Sequence, residues 1–161
     1  MTDENQIYQI YKSVCQGIKV EWLHSDAYVD WYNYILGIKP EERIIYLTLL
    51  LDVQVYNGGF DQYFINRYGL FAKETIDALI KINALTKANL LKKALDIINS
   101  PNYNDKIFKR IIFNKEKEAL SSFYKFDKSL MQKLDLLDLD YYKKGEDIDK
   151  CLEKYLSAYS K

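Results

Sequence analysis

The sequence predicts an all-α fold, a compact single-domain helical bundle around a buried central helix, and two observations support this prediction. Residues 44–55 are apolar on almost every side of a helical wheel, which is typical of a helix that is buried all round. Only 6 Gly and 2 Pro interrupt the 161 residues, which favours long helices over a β architecture with many turns. The length suits one domain with a sizeable core, which we place at residues 1–161.

The central helix is predicted to cover residues 40–56 and to end at Gly58 and Gly59, because glycine adopts the left-handed conformation of a helix end without a Cβ clash. A short aromatic helix over residues 60–68 follows, and Gly69 closes it. The sequence therefore predicts a corner in which a long helix, two glycines and a short helix follow one another.

The remaining helices are predicted from apolar residues that recur at steps of three and four. Ser25 and Thr86 are candidate N-caps, Gly37 ends a helix, and residues 140–145 are predicted to form a loop. These helices are predicted at residues 4–23, 27–36, 72–84, 87–99, 105–125, 128–137 and 147–159.

The formal net charge is +0, but the charge is unevenly distributed along the chain. Residues 1–66 carry 9 acids against 4 bases, and residues 67–126 carry 12 bases against 6 acids. This asymmetry steers a charged partner toward one face if folding keeps the two regions apart. If folding places oppositely charged faces side by side, much of the asymmetry cancels, and the sequence leaves both outcomes open.

Most catalytic and metal-binding arrangements are excluded by residue type. His24 is the single histidine, so a site with two histidine ligands is impossible, and the chain has neither a GxSxG motif nor a phosphate-binding glycine loop. Cys15 and Cys151 form no CxxC motif; a disulfide is possible if the two ends of the chain pack together, but we favour two buried, reduced thiols in a cytoplasmic protein. The polar N-terminus predicts no signal peptide, and no apolar run reaches the length of about 20 residues that a membrane span needs. We expect no catalytic residue, metal or cofactor.

Two carboxylates of the central stretch, Asp52 and Asp61, suggest one alternative, an enzyme with an acid–base pair. Asp52 lies on a nearly all-apolar helix, where a carboxylate needs a partner or a solvent edge. We expect an ion pair with a base from the middle of the chain, and we expect Asp61 to cap the short helix. The enzyme is therefore the least favoured function.

A second alternative is a nucleic-acid-binding domain that uses the lysine-rich helix at residues 106–125, where aromatic residues are interleaved with the bases. Glu116 and Glu118 interrupt this basic run, and the chain is poor in the arginine on which specific DNA readers rely. We therefore interpret this helix as having a solvated face.

The stretch with the most specific pattern is VYNGGFDQYFIN, residues 55–66. With Gly69 it resembles the signature of a small helical bacterial family, a DNA-mimic-protein-like domain of unknown function, and the resemblance extends over about residues 26–159. The polar motif residues form either a recognition surface or a network that fixes the corner, and we favour the network. The motif positions in this chain are Asn57, Gly58, Gly59, Phe60, Asp61, Gln62, Phe64, Asn66 and Gly69.

The resemblance implies an all-helical, non-catalytic protein that binds another protein. In the DNA-mimic member, surface carboxylates stand in for DNA phosphates and occupy a transcription factor. The present chain departs from that pattern in its zero net charge, its lysine-rich middle and Gln54, which stands where family members often carry an acid.

Our leading hypothesis is a cytoplasmic bacterial protein that binds and inhibits a protein partner. A DNA- or RNA-binding protein fits a DNA-mimic regulator, and a nuclease toxin fits an immunity protein. We expect neither direct nucleic-acid binding nor membrane association, and the oligomeric state stays open. The candidate partner-binding residues lie in the acidic first part of the chain and are Asp26, Asp30, Glu41 and Glu42.

Overall fold

A computed structural model describes residues 3–23, 27–98 and 128–159, and within these ranges it contains seven α-helices and no strand. Short 3-10 turns lie at Val20–Leu23 and Tyr68–Phe71. The all-α prediction is confirmed. The helices are α1 Asp3–Gly17, α2 Tyr28–Gly37, α3 Pro40–Ile65, α4 Ala72–Lys81, α5 Leu85–Ile98, α6 Lys128–Lys144 and α7 Ile148–Tyr159.

Helix α3 is the buried centre of the bundle. Every residue from 44 to 51 is buried, and α1, α4, α6 and α7 pack around the helix. The hydroxyl of Thr48, the polar residue within this run, donates to the carbonyl of Ile44 at 2.8 Å, so its burial leaves no donor unpaired. Full burial of each Leu or Ile side chain contributes roughly 1.5–3 kcal/mol, and the predicted central helix is therefore the main source of the core.

The predicted hairpin of α4 and α5 is present, with different ends. Asn83 adopts a left-handed conformation with φ 61°, and this ends α4 at Lys81 rather than at residue 84. Helix α5 begins at Leu85, so the prediction of Thr86 as its N-cap was wrong. Glu146 supplies the acceptors instead, since the backbone N–H groups of Thr86 and Lys87 donate to its carboxylate at 2.7 and 3.0 Å.

The predicted loop at residues 140–145 was wrong, because α6 continues to Lys144. Asp140 and Lys144 form an ion pair one helical turn apart at 2.7 Å, and Tyr141 is fully buried. Helix α7 begins at Ile148, with the N–H of Lys150 donating to Asp147 at 3.2 Å.

The first helix also ends earlier than predicted, at Gly17 instead of residue 23. The hydroxyl of Tyr34 donates to the carbonyl of Val14 at 3.1 Å and its ring fills the space beside Gly17, so a helix-terminal carbonyl is already satisfied there. The predicted end at Gly69 was likewise wrong, since that glycine lies inside a 3-10 turn.

Several predictions fall on residues outside the described ranges: His24, the N-cap Ser25, Asp26 and the basic helix at residues 105–125. Cys15 and Cys151 are half-buried and not bonded to each other. None of the described helices has the length and apolar character needed to cross a membrane.

Candidate functional site

The centre of the candidate site is the bend at Gly58 and Gly59, where α3 changes direction. Gly59 has a φ of 79°, a conformation that side chains other than glycine rarely adopt. A Cβ at Gly59 would meet the carboxylate of Asp138 in α6, and a Cβ at Gly58 would meet the side-chain amide of Gln62. Both glycines are therefore needed for close approach of neighbouring side chains.

The short half-helix after the bend is capped from a distant part of the chain. The backbone N–H of Phe60 donates to Asp138 Oδ1 at 2.9 Å, across 78 positions of sequence. Asp61, the predicted cap, accepts instead from the N–H of Gln62 at 2.6 Å. The cap prediction was thus incomplete, because the first N–H of the half-helix is satisfied by α6.

A network of side-chain amides spans the bend. Gln54 Oε1 accepts from Gln62 Nε2 at 3.0 Å and from Asn66 Nδ2 at 2.8 Å, and Gln62 Oε1 accepts from Asn57 Nδ2 at 3.0 Å. In a straight helix, residues 54 and 66 would lie about 18 Å apart. A direct hydrogen bond between their side chains therefore means that the second half of α3 turns back toward the first.

The other motif positions fix the same corner from the inside. Phe60 and Phe64 are buried in the core, and the ring of Phe64 lies against Gly69, where a Cβ would collide with it. Tyr63 shares a hydrogen bond of 3.3 Å with Thr75 of α4. Packing, capping and the amide network thus hold the corner together.

Gln54 acts in this network as an acceptor, and this gives a testable distinction between two substitutions. Gln54→Ala removes both bonds and is expected to lower the free energy of unfolding by about 1–2 kcal/mol. Gln54→Glu keeps an acceptor for both amides and is expected to be tolerated. Urea unfolding measures both effects, with exposed Asn89→Ala on α5 as a control. Equal losses for Ala and Glu would contradict the assigned direction of the bonds.

Three carboxylates gather at the bend: Asp61 from α3, and Asp135 and Asp138 from α6. Burial raises the pKa of Asp138 to about 6, the N–H of Phe60 opposes this rise, and the charges of Asp61 and Asp135 add to it. Asp138 is 8% exposed. Within the described ranges no lysine or arginine forms an ion pair with any of the three. Among the described side chains, the bend therefore carries an excess of carboxylates.

Two tyrosines stand at the solvent edge of this acidic group. Tyr56 is 56% exposed and Tyr142 is 42% exposed, and their ring centroids lie 5.4 Å apart. The hydroxyl of Tyr142 donates to the carbonyl of Val55 at 2.8 Å, so its ring is held in place. Burial raises the pKa of Tyr142, and the nearby carboxylates add to the rise. We call this area the corner surface, and it consists of Tyr56, Asn57, Asp61, Asp135, Asp138 and Tyr142.

Beneath the corner surface lies a buried cluster around Lys87. The side chain of Lys87 is 1% exposed, and its ammonium group forms an ion pair with Asp52. It also lies 4.3 Å from the ring centre of Tyr141 and 5.2 Å from that of Tyr56, at cation–π distances. The hydroxyl of Tyr141 donates to Asp52 at 2.8 Å, and burial together with the Asp52 charge raises the pKa of this tyrosine. The expected ion pair of Asp52 with a base from the middle of the chain is present.

The candidate residues from the acidic first part of the chain are not gathered in one place. Asp30 is exposed in the first turn of α2, whereas Glu41 and Glu42 are half-buried at the start of α3, beyond the other end of α2. Glu42 lies 3.9 Å from the ammonium group of Lys39, which offsets part of its charge. Asp26 and the lysine-rich helix at residues 106–125 lie outside the described residues.

Sequence reasoning missed the contribution of α6 to this site. Leu134, Leu137, Asp138 and Tyr141 recur at helical spacing and face the core, a pattern that indicated one continuous helix past residue 137. In the described ranges, no group of three or more His, Cys, Asp and Glu side chains is placed to hold a metal ion.

In the comparison with family models, residues 37–159 match a family described as DMP19-like protein. The matched region includes the whole corner, α6 and α7. No curated protein and no solved structure gives a significant match to the chain.

Proposed function

The chain belongs to the DMP19-like family, and from this membership we propose that it is a non-catalytic protein that binds and inhibits a partner protein. The partner class that fits best carries a basic surface, as DNA- and RNA-binding proteins and nucleases do. Such a surface is complementary to carboxylates that lack cations of their own.

The observation that supports this proposal most strongly is the composition of the corner surface. Asp61 and Asp135 add negative charge without an ion pair to a described base, and Tyr56 and Tyr142 add exposed aromatic rings. Tyrosine is enriched in the energetically important parts of protein interfaces, and unpaired charge steers an oppositely charged partner. The corner surface therefore combines anchoring rings with electrostatic attraction.

The environments of the two central carboxylates support a non-catalytic function. Asp52 is held by Lys87 and Tyr141, and Asp61 accepts from the N–H of Gln62. Each carboxylate has a structural task of its own, and a general acid–base pair would need both to face one reacting group.

Two biological settings agree with this proposal. A DNA-mimic regulator would occupy the nucleic-acid-binding groove of a transcription factor, and an immunity protein would occupy that of a nuclease toxin. Both use the same physical interaction, so the identity of the captured partner distinguishes them.

Direct nucleic-acid binding through residues 106–125 remains the competing proposal. It predicts an affinity that falls steeply with salt, because basic side chains release counterions from phosphates. A gel shift at low salt that disappears in moderate salt would favour it over the inhibitor.

The inhibitor proposal is tested by affinity capture from the native cell lysate followed by mass spectrometry. We expect a basic nucleic-acid-binding protein or nuclease, and we expect the double variant Asp61→Asn and Asp135→Asn to retain at least about tenfold less of it, since unpaired interface charges set the rate of association. The control, Asp77→Asn with Asp96→Asn, removes the same charge from exposed positions on α4 and α5 and should retain it.

The same experiment examines the acidic residues that we proposed from sequence. If the double variant Glu41→Lys and Glu42→Lys loses the partner and the Asp61→Asn and Asp135→Asn variant retains it, the interface lies at the start of α3 instead. Recovery of nucleic acid without any protein would contradict the inhibitor.

A further inference from the structure

The carboxylates of Asp61 and Asp138 each accept one backbone N–H at the bend, and they also lie close to each other. Asp61 Oδ1 lies 3.1 Å from the position that a Cβ would take on Gly59, and Asp138 Oδ2 lies closer still to the same point. The two carboxylates therefore lie side by side over one glycine. The hydrogen bonds from Phe60 and Gln62 each need one carboxylate oxygen, and neither bond requires the two like charges to lie next to each other.

We propose that the corner is a proton-linked joint, in which a proton and a cationic group of the partner compete for the paired carboxylates of Asp61 and Asp138. The proton-linked part rests on the geometry of the free protein. The competition rests in addition on the proposed function, because it assigns the cation to a basic partner.

The carboxylates around Asp138 raise its pKa, and the neutral N–H of Phe60 lowers it. From α3 it faces Asp61 and the N–H of Phe60, and from its own helix Asp135 and Tyr142. Of the three lysines of α5, Lys87 pairs with Asp52 and the other two, Lys92 and Lys93, are exposed and form no ion pair with Asp138. A carboxylate that is buried, next to a second carboxylate and without a cation binds its proton more tightly than it does in water.

This arrangement makes the stability of the corner depend on pH. The pKa of Asp138 rises from 3.8 to about 6 on folding. Between these values the folded chain holds a proton that the unfolded chain has released, so stability falls as the pH rises from about 4 to about 6. Once protonated, Asp138 can donate a hydrogen bond to Asp61, and repulsion is replaced by attraction.

A partner cation has the opposite preference. An ammonium or guanidinium group beside Asp61 and Asp138 favours the charged form of both and lowers the pKa of Asp138. Binding near pH 6 therefore releases a proton, and the affinity for the partner decreases as the pH falls below 6. The corner would therefore release its partner at acidic pH through a carboxylate and not through a histidine.

Carboxyl-carbon NMR of the intact free protein tests the joint without any partner. We expect Asp138 to titrate near pH 6, and we expect Asp61→Asn to lower that midpoint and Asp135→Asn to lower it less, in the order of their effects on Asp138. Asp30→Asn, on the exposed face of α2, should leave the midpoint unchanged. An Asp138 midpoint near pH 4, or a midpoint that Asp61→Asn leaves unchanged, would contradict the proposed proton-linked joint.

A second set of measurements tests the pH dependence of the corner separately from its binding of a cation. Asp138→Asn retains an acceptor for the N–H of Phe60 and should abolish the fall in thermal stability between about pH 4 and 6. A hexa-arginine peptide as the cationic probe should lower the Asp138 midpoint in the wild type. If Asp138 titrates near pH 6 and the peptide leaves this midpoint unchanged, the proposed competition at this surface is wrong. The inhibitor proposal is tested separately by the capture experiment.

Discussion

Lys87→Met is expected to lower the free energy of unfolding by about 3 kcal/mol, one of the two largest effects of a single substitution that we predict. The ammonium group is buried, paired with Asp52 and placed over the ring of Tyr141. Removal of one partner of a buried ion pair costs about 3–5 kcal/mol, because the remaining charge is left without compensation. Asp52 retains some exposure, so we expect the lower end of this range.

Urea unfolding of three variants separates the ion pair from other effects of the substitution. Lys92→Met, an exposed lysine on the same helix, is expected to change stability by less than about 0.5 kcal/mol. The double variant Lys87→Met with Asp52→Leu should recover about half of the loss or more, because an apolar pair replaces the orphaned charge. A Lys87→Met protein as stable as Lys92→Met would contradict the buried cluster.

Gly59→Ala is expected to destabilise the fold by about 2–4 kcal/mol. Its φ of 79° strains any side chain, and the new Cβ would collide with the carboxylate of Asp138. The matched control is Gly37→Ala, because no atom lies within 4 Å of the position of its Cβ. Thermal unfolding should show little change for the control.

A double-mutant cycle divides the Gly59→Ala effect into its two causes. In an Asp138→Ala background the collision is absent and the backbone strain remains, so Gly59→Ala should cost less there than in the wild type. Equal costs in both backgrounds would mean that the collision contributes nothing, and that α6 does not press on the bend.

The buried centre of this fold could be predicted from sequence because it depends on local patterns. The apolar run at residues 44–55 was predicted to have no solvated face, and residues 44–51 are all buried, whereas Val53 is 51% exposed. Asp52 on that helix required a partner, and Lys87 supplies it. Gly58 and Gly59 marked the bend, and Gly59 has the positive φ that few other residue types tolerate.

The parts of the site that escaped prediction depend on tertiary contacts. Asp138 caps the half-helix after the bend from 78 positions away, and no local spacing connects it with Phe60. Tyr141 and Tyr142 appeared to belong to a loop, yet their hydroxyls bond to Asp52 and to the carbonyl of Val55. The helical spacing of residues 134–141 indicated that α6 continues past residue 137, but it did not indicate which atoms these hydroxyls contact.

Competition with nucleic acid is the measurement that tests the inhibitor most directly. Fluorescence anisotropy would follow labelled DNA or RNA bound to the captured partner while the protein is added. We predict release of the labelled strand to the value of the free strand, and weaker release by the Asp61→Asn and Asp135→Asn double variant. A rise in anisotropy through a ternary complex, or binding of the strand by the protein without the partner, would contradict inhibition at the nucleic-acid-binding surface.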